Sequence, residues 1–183
     1  SDVQRVFITG GASGLGRALA IQYARAGWAV AIADVHDGRG AETLKELSEL
    51  AKQAGTAARF VPRYFHADVT CEAELQAIAD ALEADWQGID VLYNNAGVAQ
   101  AGAIEDVSLS DWEWIVNINL LGVVRGCKIF TPGFKRQGSG HIVNIASMAG
   151  LLDVPRMASY NVTKAAVVAL SGTLTHELMD AGI

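Results

Sequence analysis

The 183-residue sequence predicts an α/β fold, a doubly wound parallel sheet in the strand order 3-2-1-4-5. Three observations carry that prediction. Short apolar runs alternate with longer amphipathic stretches, which is the pattern of βαβ units. A glycine-rich turn, Gly10 to Gly14, follows the first apolar run. The third run contains Pro62, and a proline cannot donate to a strand ladder, so that strand belongs at a sheet edge, where this order puts it.

The elements follow in turn. Arg5–Thr9 is the first strand. Leu15, Ala18, Leu19, Tyr23 and Ala26 then recur at helical spacing until Gly27, a C-terminal stop. Ala29–Asp34 is a second strand, apolar on both faces as a parallel strand between helices should be. A second helix is expected over 40–54, ending before Gly55, and a third strand over 59–65. Leu75, Ile78, Ala79, Leu82 and Trp86 mark a third helix, and residues 90–93 a fourth strand. Ser110-Asp111 reads as the cap of a long helix running through Lys128. Residues 141–147 form the fifth strand and 158–181 the final helix. Strand five carries little charge and no proline, so its outer edge invites pairing, and at least one further strand is expected beside it.

Composition narrows the function. Hydrophobic residues make up 51% of the chain and charged residues 19%, which excludes disorder. The net charge of −6 argues against a nucleic-acid partner. The longest apolar runs, such as 28–33, fall far short of the roughly 20 residues that span a bilayer, so no membrane segment is expected. Cys71 and Cys127 stand alone, and His36, His66, His141 and His176 show no metal-ligand spacing, so neither a disulfide framework nor a metal site is expected. With no signal peptide legible, the expectation is a cytoplasmic protein.

Two constellations carry chemistry. Thr9-Gly10-Gly11-Ala12-Ser13-Gly14-Leu15-Gly16 joins the first strand to the first helix. Glycines there permit a tight turn and let a pyrophosphate approach the N–H groups at the helix N-terminus. Asp34 ends the second strand 18 residues after Gly16, close to the ~20 at which a carboxylate holds a ribose 2′-hydroxyl in a Rossmann-type dinucleotide fold. The second constellation is Tyr160 and Lys164, four apart on one helix face, with Ser147 thirteen residues before Tyr160. Ser147 and Tyr160 both lie just beyond the carboxyl end of a parallel strand, where open α/β sheets bind ligands. A surface Tyr/Lys pair is the bland alternative, and the position argues against it. Trp112 and Trp114 read as packing or a subunit contact, Cys127 as core, Met148 and Met157 as lining the substrate side or as packing, and His141 as exposed.

Together these motifs resemble the short-chain dehydrogenase/reductase family, in its compact single-domain branch. Thr9 to Gly16 resembles that branch's glycine motif, Asn94-Asn95-Ala96-Gly97 its Asn-Asn-Ala-Gly, and Asp68-Val69 its adenine-contacting pair. The resemblance implies a catalytic set of Asn119, Ser147, Tyr160 and Lys164. It implies coenzyme contacts at Gly10, Ser13, Gly14, Leu15, Gly16, Asp34, Val35, Asp68, Val69, Asn95, Ala96, Gly97, Tyr160 and Lys164. The implied reaction is hydride transfer between a nicotinamide coenzyme and a small alcohol or carbonyl compound, with Tyr160 as general acid/base. Lys164 would favour the phenolate and hold the nicotinamide ribose, and Asn119 would anchor a water leading from Lys164 to solvent. NAD is expected over NADP, because Asp34 would repel a 2′-phosphate and Arg39, the only nearby cation, reads as helix-entry surface. A homodimer or homotetramer is implied, with Val123, Ile129, Val167 and Leu174 available for a subunit face or for the core. Members of the family continue past the Tyr/Lys helix into further strands, so residues 1–183 read as one Rossmann domain without its C-terminal strands. A non-catalytic dinucleotide-binding or regulatory protein is the competing reading, although a binding module needs no acid–base tyrosine. An extended-branch epimerase or dehydratase is disfavoured by the glycine spacing.

Overall fold

The structure is a computed structural model and describes residues 2–183. Five parallel strands, β1 (Arg5–Thr9), β2 (Ala29–Asp34), β3 (Arg63–His66), β4 (Val91–Asn94) and β5 (His141–Asn144), form one sheet in the order β3-β2-β1-β4-β5. Helices α1 (Gly14–Arg25) and α2 (Asp37–Ala54) cover one face, and α3 (Glu72–Trp86) and α5 (Gly122–Gln137) the other. Side chains alternate across a strand, so β1 divides between the two layers. Val6 and Ile8 pack with Ala20, Ala24 and Leu47, whereas Phe7 packs with Leu75, Ile78, Phe130 and Phe134. Val6, Phe7 and Ile8 are fully buried, each such side chain contributing about 1.5–3 kcal/mol over exposure. Among the described residues no helix is long and apolar enough to cross a membrane.

Several boundaries differ from expectation. Pro62 lies just before β3, whose pairing with β2 starts at Arg63 opposite Ala31; the proline ends up where no ladder bond is needed, at the predicted edge. In α1 the buried side is Gly16, Ala20, Ile21 and Ala24, while Leu15, Ala18 and Ala26 are exposed. Close packing on the sheet selects small residues there, and the larger Leu19 and Tyr23 sit at its margin. The helix after β4 starts at Leu109, capped by Ser108, whose hydroxyl accepts from the Asp111 N–H at 3.1 Å. Ser110 is already inside it.

That helix, α4 (Leu109–Val116), passes through a π turn (Asn117–Leu121) into α5 and runs beyond Lys128 to Gln137. Burial of Phe130 and Phe134 on the sheet carries it past Pro132, and Gly138, at φ +69°, ends it. Strand β5 stops at Asn144, and the chain then turns through a short 3₁₀ segment (Met148–Gly150) to α6 (Ala158–Leu178) and a closing 3₁₀ turn (Met179–Ala181). Val123 and Val167 are buried between α5 and α6 with Cys127, so both belong to the core.

Candidate active site

The carboxyl ends of β1, β2, β3 and β4 open onto a cleft of about 560 Å³. Gly10, Ser13, Leu15, Asp34, Val35, Asp68, Val69 and residues 95–98 line it. Its floor is latched by Thr9, the last residue of β1. The Thr9 hydroxyl accepts from the N–H groups of Asn95 and Ala96, both at 3.0 Å, and Asn95 Nδ2 donates to the carbonyls of Thr9 (3.0 Å) and Gly10 (3.2 Å). The Asn95–Gly97 segment is thereby tied to the glycine turn.

The glycines test whether a dinucleotide fits. Gly10 sits at φ +63° and Gly14 at φ +53°, conformations that favour glycine. A Cβ on Gly16 would lie 2.2 Å from the Gly10 carbonyl oxygen, so the turn closes only without one. A Cβ on Gly14 would meet nothing within 4 Å, which leaves room over the N-terminus of α1 for an anionic group. Ser13 caps that helix by backbone alone, with its side chain uncommitted to the cap. The turn and the cleft fit a pyrophosphate and an adenosine.

Asp34 is 9% exposed, and backbone fixes both its oxygens. Ala12 N–H donates to Oδ2 and His36 N–H to Oδ1, each at 3.1 Å. Asp68 Oδ1 accepts from the backbone N–H and the hydroxyl of Thr70, at 2.9 and 2.7 Å. Arg39, read from the sequence as helix-entry surface, lines the same cleft, as do Trp114 and Ile118.

At the other end stand the groups of the second constellation. Asn119 is 1% exposed inside the π turn, and π turns often mark functional sites. Its Oδ1 accepts from the Val98 N–H and its Nδ2 donates to the Val98 carbonyl, both at 2.8 Å. Nδ2 also lies 3.3 Å from the Thr163 hydroxyl, which donates to the Tyr160 carbonyl at 2.9 Å. Thr163, fully buried, is a site residue the sequence reading missed; one threonine in a helix carries no signal of its own. The Lys164 ammonium lies 5.7 Å from the centroid of the Tyr160 ring and donates to the Ile145 carbonyl at 3.2 Å. Burial pushes the Lys164 ammonium below its ordinary value of 10.5. Ser147 caps the 3₁₀ segment, its hydroxyl accepting from the Ala149 N–H at 3.2 Å. That segment packs on α6 at Lys164, since a Cβ on Gly150 would lie 2.9 Å from the Lys164 carbonyl. Gly97 joins the two ends: a Cβ there would lie 3.3 Å from Asn119 Oδ1 and 3.5 Å from Lys164 Nζ.

A glycine turn at a helix N-terminus, a fixed carboxylate on β2 and a Tyr/Lys helix beside the same cleft define a dinucleotide-binding α/β protein of Rossmann type. The chain belongs to the short-chain dehydrogenase/reductase family: the family model described as short chain dehydrogenase matches residues 4–183. An uncharacterized oxidoreductase of Thermotoga maritima is 37% identical over 178 residues, covering 97% of this chain and 67% of that protein. A 3-alpha-(or 20-beta)-hydroxysteroid dehydrogenase of Mycobacterium tuberculosis is 34% identical over 176 residues, covering 96% of this chain and 64% of that protein. Among solved structures, a short-chain dehydrogenase/reductase from Burkholderia phymatum in complex with NAD superposes with a TM-score of 0.89 at 40% identity, over 99% of this chain and 62% of that one. A gluconate 5-dehydrogenase from Burkholderia cenocepacia in complex with NADP and tartrate gives 0.84 at 30% identity, over 100% of this chain and 69% of that one. The chain thus spans 62% to 69% of the length of these relatives.

Proposed function

We propose that this protein transfers hydride between NAD(H) and an alcohol or carbonyl substrate, with Tyr160 as general acid/base. The observation that carries the reading is the junction at Gly97, where the wall of the coenzyme cleft meets Asn119 and Lys164 one helical turn from Tyr160. The nicotinamide, when bound, supplies or accepts the hydride. The glycine turn, Asp34 and Asp68 hold and orient the coenzyme. A tyrosine that moves a proton to and from a substrate oxygen needs a polar group beside it to carry the proton onward, and the Lys164 ammonium, 5.7 Å from the Tyr160 ring centroid, stands in that place. The Ile145 carbonyl holds Lys164 in that place. Among the described residues the Ser147 hydroxyl only accepts, from Ala149, which leaves its O–H to donate to a substrate oxygen as charge develops there. Asn119, bonded through Val98 and Thr163, fixes the cleft wall against the Tyr160 helix.

Asp34 supports NAD as the coenzyme, because a carboxylate accepts from a 2′-hydroxyl and repels a 2′-phosphate. A second copy of the chain is the partner we assign to the α5–α6 face, where Leu170 and Leu174 line a groove of about 370 Å³. Lone thiols at Cys71 and Cys127 support a reducing, cytoplasmic setting, and the net charge of −6 supports a small-molecule rather than a nucleic-acid partner. The outer edge of β5, unpaired among the described residues, together with the greater length of the relatives, supports residues 1–183 as the coenzyme-binding part of one longer Rossmann domain.

The test is Tyr160→Phe in the full-length protein, followed by NADH absorbance against secondary alcohols and ketones. Turnover should fall about 10²–10⁴-fold, the range of a general acid–base group, with NADH affinity by fluorescence within about twofold of the parent. Retention of more than about a tenth of kcat would assign the proton to another group.

A further inference from the structure

The π turn that carries Asn119 is held by a side chain with no part in the proton and hydride transfers. In a π turn the N–H reaches back five residues, and here Gly122 N–H bonds the Asn117 carbonyl. That same oxygen accepts a second bond, from Arg125 Nη1 at 3.1 Å. Nη1 also donates to the Val69 carbonyl at 3.0 Å, and Nη2 to Asn117 Oδ1 at 2.6 Å. Among the described residues no carboxylate lies within ion-pair distance of Arg125, so its planar fork is committed to neutral acceptors on two separate segments. The segments are in contact as well: a Cβ on Gly122 would lie 2.8 Å from Val69 Cγ2. Val69 lines the coenzyme cleft, whereas Asn117 opens the turn two residues before Asn119.

We infer that Arg125 is a positioning residue that fixes the π turn, and with it Asn119, to the Val69 wall of the coenzyme cleft. The inference rests on the dehydrogenase reading above for the importance of Asn119, and on the geometry alone for the link to the cleft. One residue of helix turns through about 100°, so relaxing the π turn to an α turn would swing the Asn119 amide away from Val98 and Thr163. Arg125 opposes that relaxation at the oxygen that accepts the π-type bond. Lysine cannot reproduce the bond pattern, because one ammonium lacks the fork that reaches Val69, the Asn117 carbonyl and the Asn117 side chain together.

The experiment is a double-mutant cycle in the full-length protein, with Arg125→Met, Asn119→Ala and the pair, read by kcat and by NADH Kd from fluorescence. Arg125→Met should lower kcat about 10- to 100-fold, the scale of a misplacement near 1 Å, and raise the NADH Kd several-fold. In the Asn119→Ala background the same change should cost less than about twofold in kcat, because its route of action is already gone. Arg125→Lys should recover part of kcat. Losses that add, or an Arg125→Met kcat within about twofold of the parent whatever the melting temperature does, overturn the inference. Should Arg125→Met not fold, Asn117→Ala, which removes only the Nη2 bond, carries the same cycle: a smaller loss that vanishes in the Asn119→Ala background supports the inference, and an additive loss overturns it. A parent protein that binds NADH but turns over no alcohol or ketone refutes the dehydrogenase reading by itself. Arg125 is then judged on NADH Kd alone, and an unchanged value overturns its role.

Discussion

Asp34 shows what a residue's setting adds to its identity. Its carboxylate is oriented by two backbone N–H groups, so a ribose hydroxyl bound there, as proposed, would require little reorganisation. We predict that Asp34→Ala weakens NAD binding by about 10- to 100-fold, matching the 1.5–3 kcal/mol of a hydrogen bond to a charged group. The same substitution should narrow the preference for NAD over NADP, because Arg39 in the same cleft then meets a 2′-phosphate unopposed. Titration of each coenzyme against parent and variant checks both, and an unchanged NAD/NADP ratio would remove Asp34 as the discriminator. Asp34 was legible in the sequence because a strand end and a fixed distance from a glycine turn determine its place. Tyr160 and Lys164 were legible because helical spacing determines theirs. Thr163 and Arg125 were not, since their partners lie far away in sequence or on backbone atoms, to which sequence patterns are blind.

Among the elements, the type and order of strands and helices were legible, but which residues each helix buries was less so. In α1 the large apolar residues suggested one stripe, and close approach to the sheet selected another, centred on Gly16, Ala20 and Ala24. The π turn left no trace in the pattern, because its residues remain helical and the Arg125 bonds that join it to Val69 span separate segments. At the end of the sheet opposite the cleft, Arg5 opens β1 and bonds both oxygens of Asp90, just before β4, at 2.9 and 3.0 Å. Burial pushes the Asp90 carboxyl up, but the bonds from Arg5 outweigh it and hold it below its ordinary 3.8. A carboxyl lowered on folding contributes stability above its unfolded value and loses it as pH falls through the folded one. Asp90→Asn should therefore cost about 1–3 kcal/mol at neutral pH and flatten the fall in melting temperature below about pH 4. Equal acid sensitivity in parent and variant would show that other carboxylates govern that range.

For the molecule as a whole, the strand order 3-2-1-4-5 was legible from alternation and one proline, because few topologies survive the rules of short, right-handed connections. The faces of the outer helices were not, since a residue such as Val123 or Val167 looks the same whether it faces the core or a partner. With those two inside and Ile129 packed against the core, Leu174 is the candidate left at the groove between α5 and α6, with Leu170 beside it. Sedimentation of the full-length protein at micromolar concentration should show a dimer or tetramer, and Leu174→Glu should shift it towards monomer. A monomeric parent would refute the assignment. The latch at Thr9 has a different consequence, one of tempo. The glycine turn and the Asn95–Gly97 segment are already tied together, and we predict that a dinucleotide enters the crevice between them without a closing step. Encounter should then be governed by diffusion and orientation, and stopped-flow fluorescence with NADH and NADPH should place any difference in how tightly they are held on how long each stays rather than on how quickly each arrives.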